Sequence, residues 1–220
     1  MKAPAGNNPW LIWAGLVLTT AIVGAAFVGV GLKGANGLLP VVGRIPDFNL
    51  TNQDNGTVSL ASFSGKVWVA NVIYTRCPTV CRAMSAEFEK LQGSLPDGAR
   101  LASFTSDPLY DSPLVLKKFA GQFNADANRW WFLTGKPSEI HGLEVNDFKF
   151  AVVENKPEDR SVPDDWFTHS TWFALVDRTG QLRGWVDADG HQHIVFESDD
   201  PAAMARLKSA IKQLLREPAT

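Results

Sequence analysis

The stretch Val67-Trp68-Val69-Ala70-Asn71-Val72-Ile73-Tyr74-Thr75-Arg76-Cys77-Pro78-Thr79-Val80-Cys81-Arg82 decides how the rest of the chain is read, and it holds both cysteines of the protein. Its first half is an apolar, β-branched run of strand type. The residues that follow, from Met84 to about Leu95, carry apolar side chains at helical spacing. The cysteines therefore fall at a strand-to-helix junction. There, unpaired backbone N–H groups and the positive end of the helix dipole favour a thiolate, and Arg76 and Arg82 add positive charge. A spacing of four puts the second cysteine about one helical turn past the first, so both sulfurs can face one point. A structural disulfide is the plainer reading. Yet a loop of three intervening residues removes little entropy from the unfolded chain, so stabilisation is a poor reason for the pair. Redox or metal chemistry is the expectation.

Working outward, residues 45–50 and 57–60 flank Asp54-Asn55-Gly56, a turn sequence that tolerates positive φ and predicts a β-hairpin covering the main sheet. Beyond the cysteine helix, 99–105 reads as a strand. Ser112-Pro113 then opens a helix to about Phe123. Residues 129–133 predict another strand, 137–143 a short helix, and 148–153 an edge strand. The run 154–165, rich in Glu, Asp and Pro, is a charged loop that leads to His169. Residues 171–176 form a strand, Asp177-Arg178-Thr179-Gly180 a turn, and 182–186 its hairpin partner. An amphipathic helix over 201–215 closes the pattern. Alternation of this kind defines an α/β layered domain.

The full chain has 220 residues, a net charge of −2 and no basic block, which argues against a nucleic-acid partner. Residues 10–32 form an uncharged stretch of 23 residues between Trp10 and Lys33. That length suits a bilayer-spanning helix better than the shorter apolar core of a cleaved leader. The expected organisation is a membrane anchor over 1–33, a linker over 34–44 and a globular domain over 45–216. Lys2 opposes Lys33 and Arg44, so the charge rule alone leaves the orientation open.

A strand, a paired-cysteine turn opening a helix, further β and α units and a final hairpin followed by a helix make a thioredoxin-like layout with an N-terminal β-hairpin extension. From about Ile45 to Leu215 the chain resembles the Sco/SenC family of membrane-anchored copper chaperones. The resemblance rests on Cys77-Pro78-Thr79-Val80-Cys81, on Ser106-Asp107-Pro108 with Asp111-Ser112-Pro113, on Trp130 with Leu133-Thr134-Gly135, and on His169-Ser170. It implies a copper site made by Cys77, Cys81 and His169, holding Cu(I) and also open to Cu(II). Ligand chemistry agrees with that set: thiolates suit Cu(I), imidazole suits copper in either state, and three ligands leave a position free for handover. A structural zinc site would want four.

The resemblance further implies delivery to the dinuclear copper centre of cytochrome c oxidase subunit II, or to another copper-site protein. It also implies a dithiol reductant that keeps the pair reduced, and an inner-membrane location with the soluble domain in the periplasm. The competing function is a thiol-disulfide oxidoreductase, with Cys77 and Cys81 as a redox-active disulfide. Against that stand a spacing one residue longer than the common redox motif and the lack of a proline directly before Thr171. Family members often carry proline directly after the second cysteine and arginine inside the Asp-Pro segment. Arg82 and Tyr110 stand in those places here.

Other candidates have plainer alternatives. His191 and His193, one residue apart after Asp187 and Asp189, would point to one side of a strand and so suggest a second metal site, against a solvated loop. His141 is read as a helix-end cap. Met84 offers a thioether but is expected in the core. The acidic residues Glu158, Asp159, Asp164 and Asp165 are expected to be solvated, and their loop could let His169 move.

Overall fold

The computed structural model describes residues 39–160 and 166–218. The central strand, β4, is Val67–Ile73; flanking it in sequence are β1, Val41–Arg44, β2, Leu50–Asn52, and β3, Thr57–Val58. All seven residues of β4 are buried, as a Val/Ile-rich strand covered on both faces should be. Helix α1, Val80–Ser94, leads into β5, Ala99–Thr105, then α2, Pro113–Gly121, β6, Trp130–Thr134, and α3, Pro137–Gly142. The π-helical turn Leu143–Asp147 continues α3. The rest comprises β7, Val152–Glu154, β8, Phe167–His169, β9, Trp172–Val176, β10, Gln181–Arg183, β11, Trp185–Val186, β12, Gln192–His193, β13, Phe196–Glu197, and α4, Pro201–Arg216.

The main sheet runs β1-β10-β9-β4-β5-β6-β2-β3, with β13 added beside β9. Strands β4, β5 and β6 are parallel, joined by helical crossovers, whereas β9 lies antiparallel to β4. Side chains alternate between two cores. Val67, Val69 and Ile73 face Phe88 and Leu91 of α1, Phe119 of α2 and Leu207 and Ile211 of α4. Trp68, Ala70 and Val72 face Phe48, Phe63, Phe148 and Ile140 of α3. Helix α4 starts cleanly because Asp200 accepts the Ala202 N–H at 2.8 Å and Pro201 sits at the first helical position.

The α/β layering and the hairpin extension are as expected. Asn55 has φ +63° in the turn between β2 and β3, and β2 pairs with β6 to extend the main sheet. Three local expectations need correction. Residues 41–44, placed in the linker, form edge strand β1 against β10, and Leu39 before them is buried with its carbonyl held by Arg183. The edge strand placed at 148–153 is instead β7, which pairs only with β8 in a separate two-stranded ribbon. The single hairpin partner placed at 182–186 breaks at Gly184. A Cβ there would lie 2.4 Å from the His193 carbonyl oxygen and 2.8 Å from Val42, so the chain leaves β10 and starts the β11–β12 ribbon.

The membrane segment expected over 10–32 lies outside the described residues. Among the described residues no helix is long and apolar enough to cross a membrane.

Candidate metal centre

The β4–α1 junction fixes both sulfurs. Strand β4 ends at Ile73, the Cys77 N–H bonds the Tyr74 carbonyl at 3.2 Å, and α1 begins at Val80. Cys81 lies in the first turn of α1 and Cys77 just before it, so the first-turn N–H of Cys81 points at the Cys77 sulfur, 3.4 Å away. The Tyr74 N–H donates to the Cys81 sulfur at 3.3 Å. Both thiols are free and buried.

The third group arrives from the far end of the ribbon. His169 closes β8, opposite Val152, and its Nε2 lies 2.9 Å from Cys81 Sγ. Its Nδ1 lies 3.0 Å from the Ser170 carbonyl. A carbonyl can only accept, so Nδ1 donates to it, and Nε2 is the ring nitrogen turned to the sulfurs. A ligating imidazole needs this arrangement. The Tyr74 ring meets His169 edge-on with centroids 5.9 Å apart. One ligand atom from each of Cys77, Cys81 and His169 lies within 4.8 Å of the others. The structure thus brings together the three residues singled out in sequence.

The two thiols differ electrically. The hydrogen bond from the Cys81 thiol is the main cause that pulls Cys77 down, to about 4. His169 and the backbone N–H groups of Cys81 and Thr79 also lower it, while burial opposes them. Burial pushes Cys81 well above the usual thiol range, and the neighbouring Cys77 adds to this. A thiolate-prone Cys77 beside a protonated Cys81 gives the pair the soft donors that a cation would gather together with a neutral nitrogen. The donor set fits copper.

Arg76 and Arg82 do not act as the sequence suggested. Arg76 forks onto Asp107 through Nη2 at 2.5 Å and Nε at 3.1 Å, with its guanidinium over the rings of Tyr110 and Trp166. Arg82 turns to Gln122 at 2.8 Å. Arg76 is therefore paired with a carboxylate, and the Arg82 guanidinium is directed to an amide, rather than to the sulfurs. Sequence reasoning missed the brace beneath the cysteine loop. Asp111, fully buried, accepts from the Thr75 N–H at 3.0 Å and from the Thr75 and Thr105 hydroxyls. The signal was present: Asp107 and Asp111 were noted as family markers, but nothing in their spacing says that they hold Thr75 and Arg76.

The remaining candidates separate cleanly. Met84 is a core residue, 1% exposed. His141 is not a cap of its own helix end; its Nε2 lies 2.9 Å from the Ser106 carbonyl and ties α3 to the loop after β5. His191 and His193 both turn to Asp187 and take no part in the cysteine site.

Fold and site together define a thioredoxin-like domain that presents two cysteines and one histidine at a shared point. The family model described as SCO1/SenC matches residues 43–211, and the chain belongs to that family. The SCO1 protein homolog of Bacillus subtilis (strain 168) is 36% identical over 147 residues, covering 65% of this chain and 73% of the relative. BsSco, described as a member of the Sco family of cytochrome c oxidase assembly proteins with a disulfide switch, superposes with a TM-score of 0.66 at 30% identity. The match covers 82% of this chain and 99% of that one. A SCO1/SenC family lipoprotein from Bacillus anthracis str. Ames gives 0.65 at 27% identity, covering 80% and 96%.

Proposed function

We propose that the protein is a copper chaperone: Cys77 and Cys81 hold the ion as thiolates, His169 completes the site, and a partner with its own soft ligands takes the ion by ligand exchange. The observation that carries this reading is the approach of His169 Nε2 to within 2.9 Å of Cys81 Sγ. An imidazole with Nδ1 tied to a carbonyl and Nε2 aimed at a dithiol is arranged for metal capture, and disulfide exchange does not need it. The ion is Cu(I), with Cu(II) also accommodated. The recipient is the dinuclear copper centre of cytochrome c oxidase subunit II, a reading supported by the family and by the oxidase-assembly description of BsSco. Residues 10–32 anchor the chain in the inner membrane with the domain in the periplasm, and a dithiol reductant keeps the pair competent.

A second reading has its own support. A thiol drawn down to about 4 beside one pushed well up matches the attacking and resolving roles of a thiol-disulfide oxidoreductase acting on the cysteines of a copper-site protein. His169→Ala separates the two. The chaperone reading expects copper retention against a chelator to fall at least tenfold while disulfide exchange on a protein substrate continues. Unchanged retention would overturn it in favour of the oxidoreductase.

A further inference from the structure

Two of the four histidines in the chain converge on one carboxylate oxygen, away from the cysteine residues. Asp187 follows β11, and its Oδ1 is taken by the backbone N–H groups of Asp189 at 3.0 Å and His191 at 2.8 Å. This fixes the carboxylate so that Oδ2 faces the imidazoles. His193 Nε2 lies 2.9 Å from Oδ2 and His191 Nδ1 lies 3.4 Å from it. One ligand atom from Asp189 falls within 4.8 Å of those of Asp187 and His191. Gly190, at φ +88°, lets the chain turn sharply enough to bring His191 back over Asp187. His193 is held from behind, stacked on Trp185 at 3.9 Å and 10°, with the Arg206 guanidinium 3.8 Å from the Trp185 ring centroid.

We infer that Asp187, His191 and His193, with Asp189 beside them, form a second metal site, for a borderline divalent cation such as Cu2+ or Zn2+. For metal bonds of about 2.0–2.1 Å, adjacent donors in tetrahedral or square geometry stand roughly 2.9–3.4 Å apart. The His191–Asp187 separation of 3.4 Å matches such an edge, and His193, hydrogen-bonded to the same oxygen at 2.9 Å, turns toward the ion to join it. Two imidazoles with oxygen donors favour Cu2+ and Zn2+ over Ca2+ or Mg2+. Binding uses neutral imidazole nitrogens, so it competes with protons and weakens as the pH falls. The cation takes the place of the His193–Asp187 hydrogen bond, and no electron transfer is involved.

The test titrates Cu2+ at pH 7.5 into the full chain carrying Cys77→Ala and Cys81→Ala, followed by calorimetry, electron paramagnetic resonance and Trp fluorescence. One equivalent is expected to bind below about 100 µM, with hyperfine structure from two nitrogens and quenching that Trp185→Phe reduces. His191→Ala and His193→Ala should each weaken binding at least tenfold. Titrating Zn2+ into the chain with its cysteines intact supplies a comparison that does not depend on the cysteine variant folding: the exposed His191→Ala should bind one equivalent fewer. No saturable Cu2+ binding in the cysteine variant, or stoichiometry and affinity unchanged by His191→Ala, overturns the inference.

Discussion

Cys77 and Cys81 sit four positions apart yet are shifted in opposite directions, because Cys77 receives the hydrogen bond of the Cys81 thiol while burial raises Cys81 by more than the Tyr74 N–H lowers it. Cys77 is held at about 4 chiefly by the Cys81 thiol, so thiolate persists through the mildly acidic range and is lost as the pH falls through about 4. In the reduced, metal-free chain, the pH profile of alkylation at Cys77 is expected to have its midpoint there. Cys81→Ala should raise the midpoint by more than one pH unit, toward the ordinary thiol value of about 8.5. A midpoint near 8.5 in the unaltered chain would refute the assignment. At this scale the sequence was informative about the sulfurs, since a helix N-terminus is a local feature that spacing reveals. It was uninformative about His169, because no periodicity links a residue to a partner 88 positions away; only the family pattern pointed there. The charges of Arg76 and Arg82 were misjudged for a similar reason. Proximity in sequence does not say which partner, the Asp107 carboxylate or the Gln122 amide, a long side chain will find.

At the scale of elements, the loop between β4 and α1 takes its shape from the loop after β5. Asp111 satisfies three donors at once, so Asp111→Ala strands the Thr75 N–H and two hydroxyls. It is expected to cost about 2–4 kcal/mol in denaturant unfolding and to weaken copper retention with it. Loss of stability below about 0.5 kcal/mol would show that the brace is dispensable. The π-helical turn after α3 contains a different kind of tension. Glu144 is wholly buried, both its carboxylate oxygens lack a partner, and burial pushes its pKa well up. The folded state therefore keeps a proton that the unfolded chain gives up. Its stability is full below the ordinary carboxylate range of about 4 and falls as the pH rises above it. Glu144→Met should stabilise the protein by about 1–3 kcal/mol at pH 8, with the gain shrinking toward pH 4; a gain that does not vary with pH would contradict this. Long elements such as β4, β5, α1 and α4 were legible because their apolar pattern repeats over several turns or pleats. The pieces two or three residues long, β7, β8, β11 and β12, were not. Their existence depends on a partner strand rather than on their own composition.

For the whole molecule, the globular unit begins earlier than composition suggested. Leu39 is buried against the core, and Arg183 grips its carbonyl with Nε at 2.9 Å and Nη2 at 2.6 Å. Arg183 also reaches Asp177 at 2.9 Å. A fragment starting at residue 38 is therefore expected to be more stable than one starting at residue 45 by about 2–4 kcal/mol, since the shorter one loses both a buried leucine and the β1 pairing. Equal unfolding midpoints would place the boundary back at 45. Glycine and a short apolar run gave this segment the look of a tether, and only the distant β10 shows otherwise.

His169, the proposed third donor, hangs from a ladder of three rungs, Val152–His169, Val153–Thr168 and Glu154–Phe167, that shares no pairing with the nine-stranded sheet behind the sulfurs. Dropping from three donors to two therefore requires only a local opening of that ladder, at a fraction of the free energy needed to melt the sheet. On the proposed chaperone reading, an acceptor with two sulfurs of its own draws the ion off while the domain stays folded, and the emptied imidazole swings back ready for the next load.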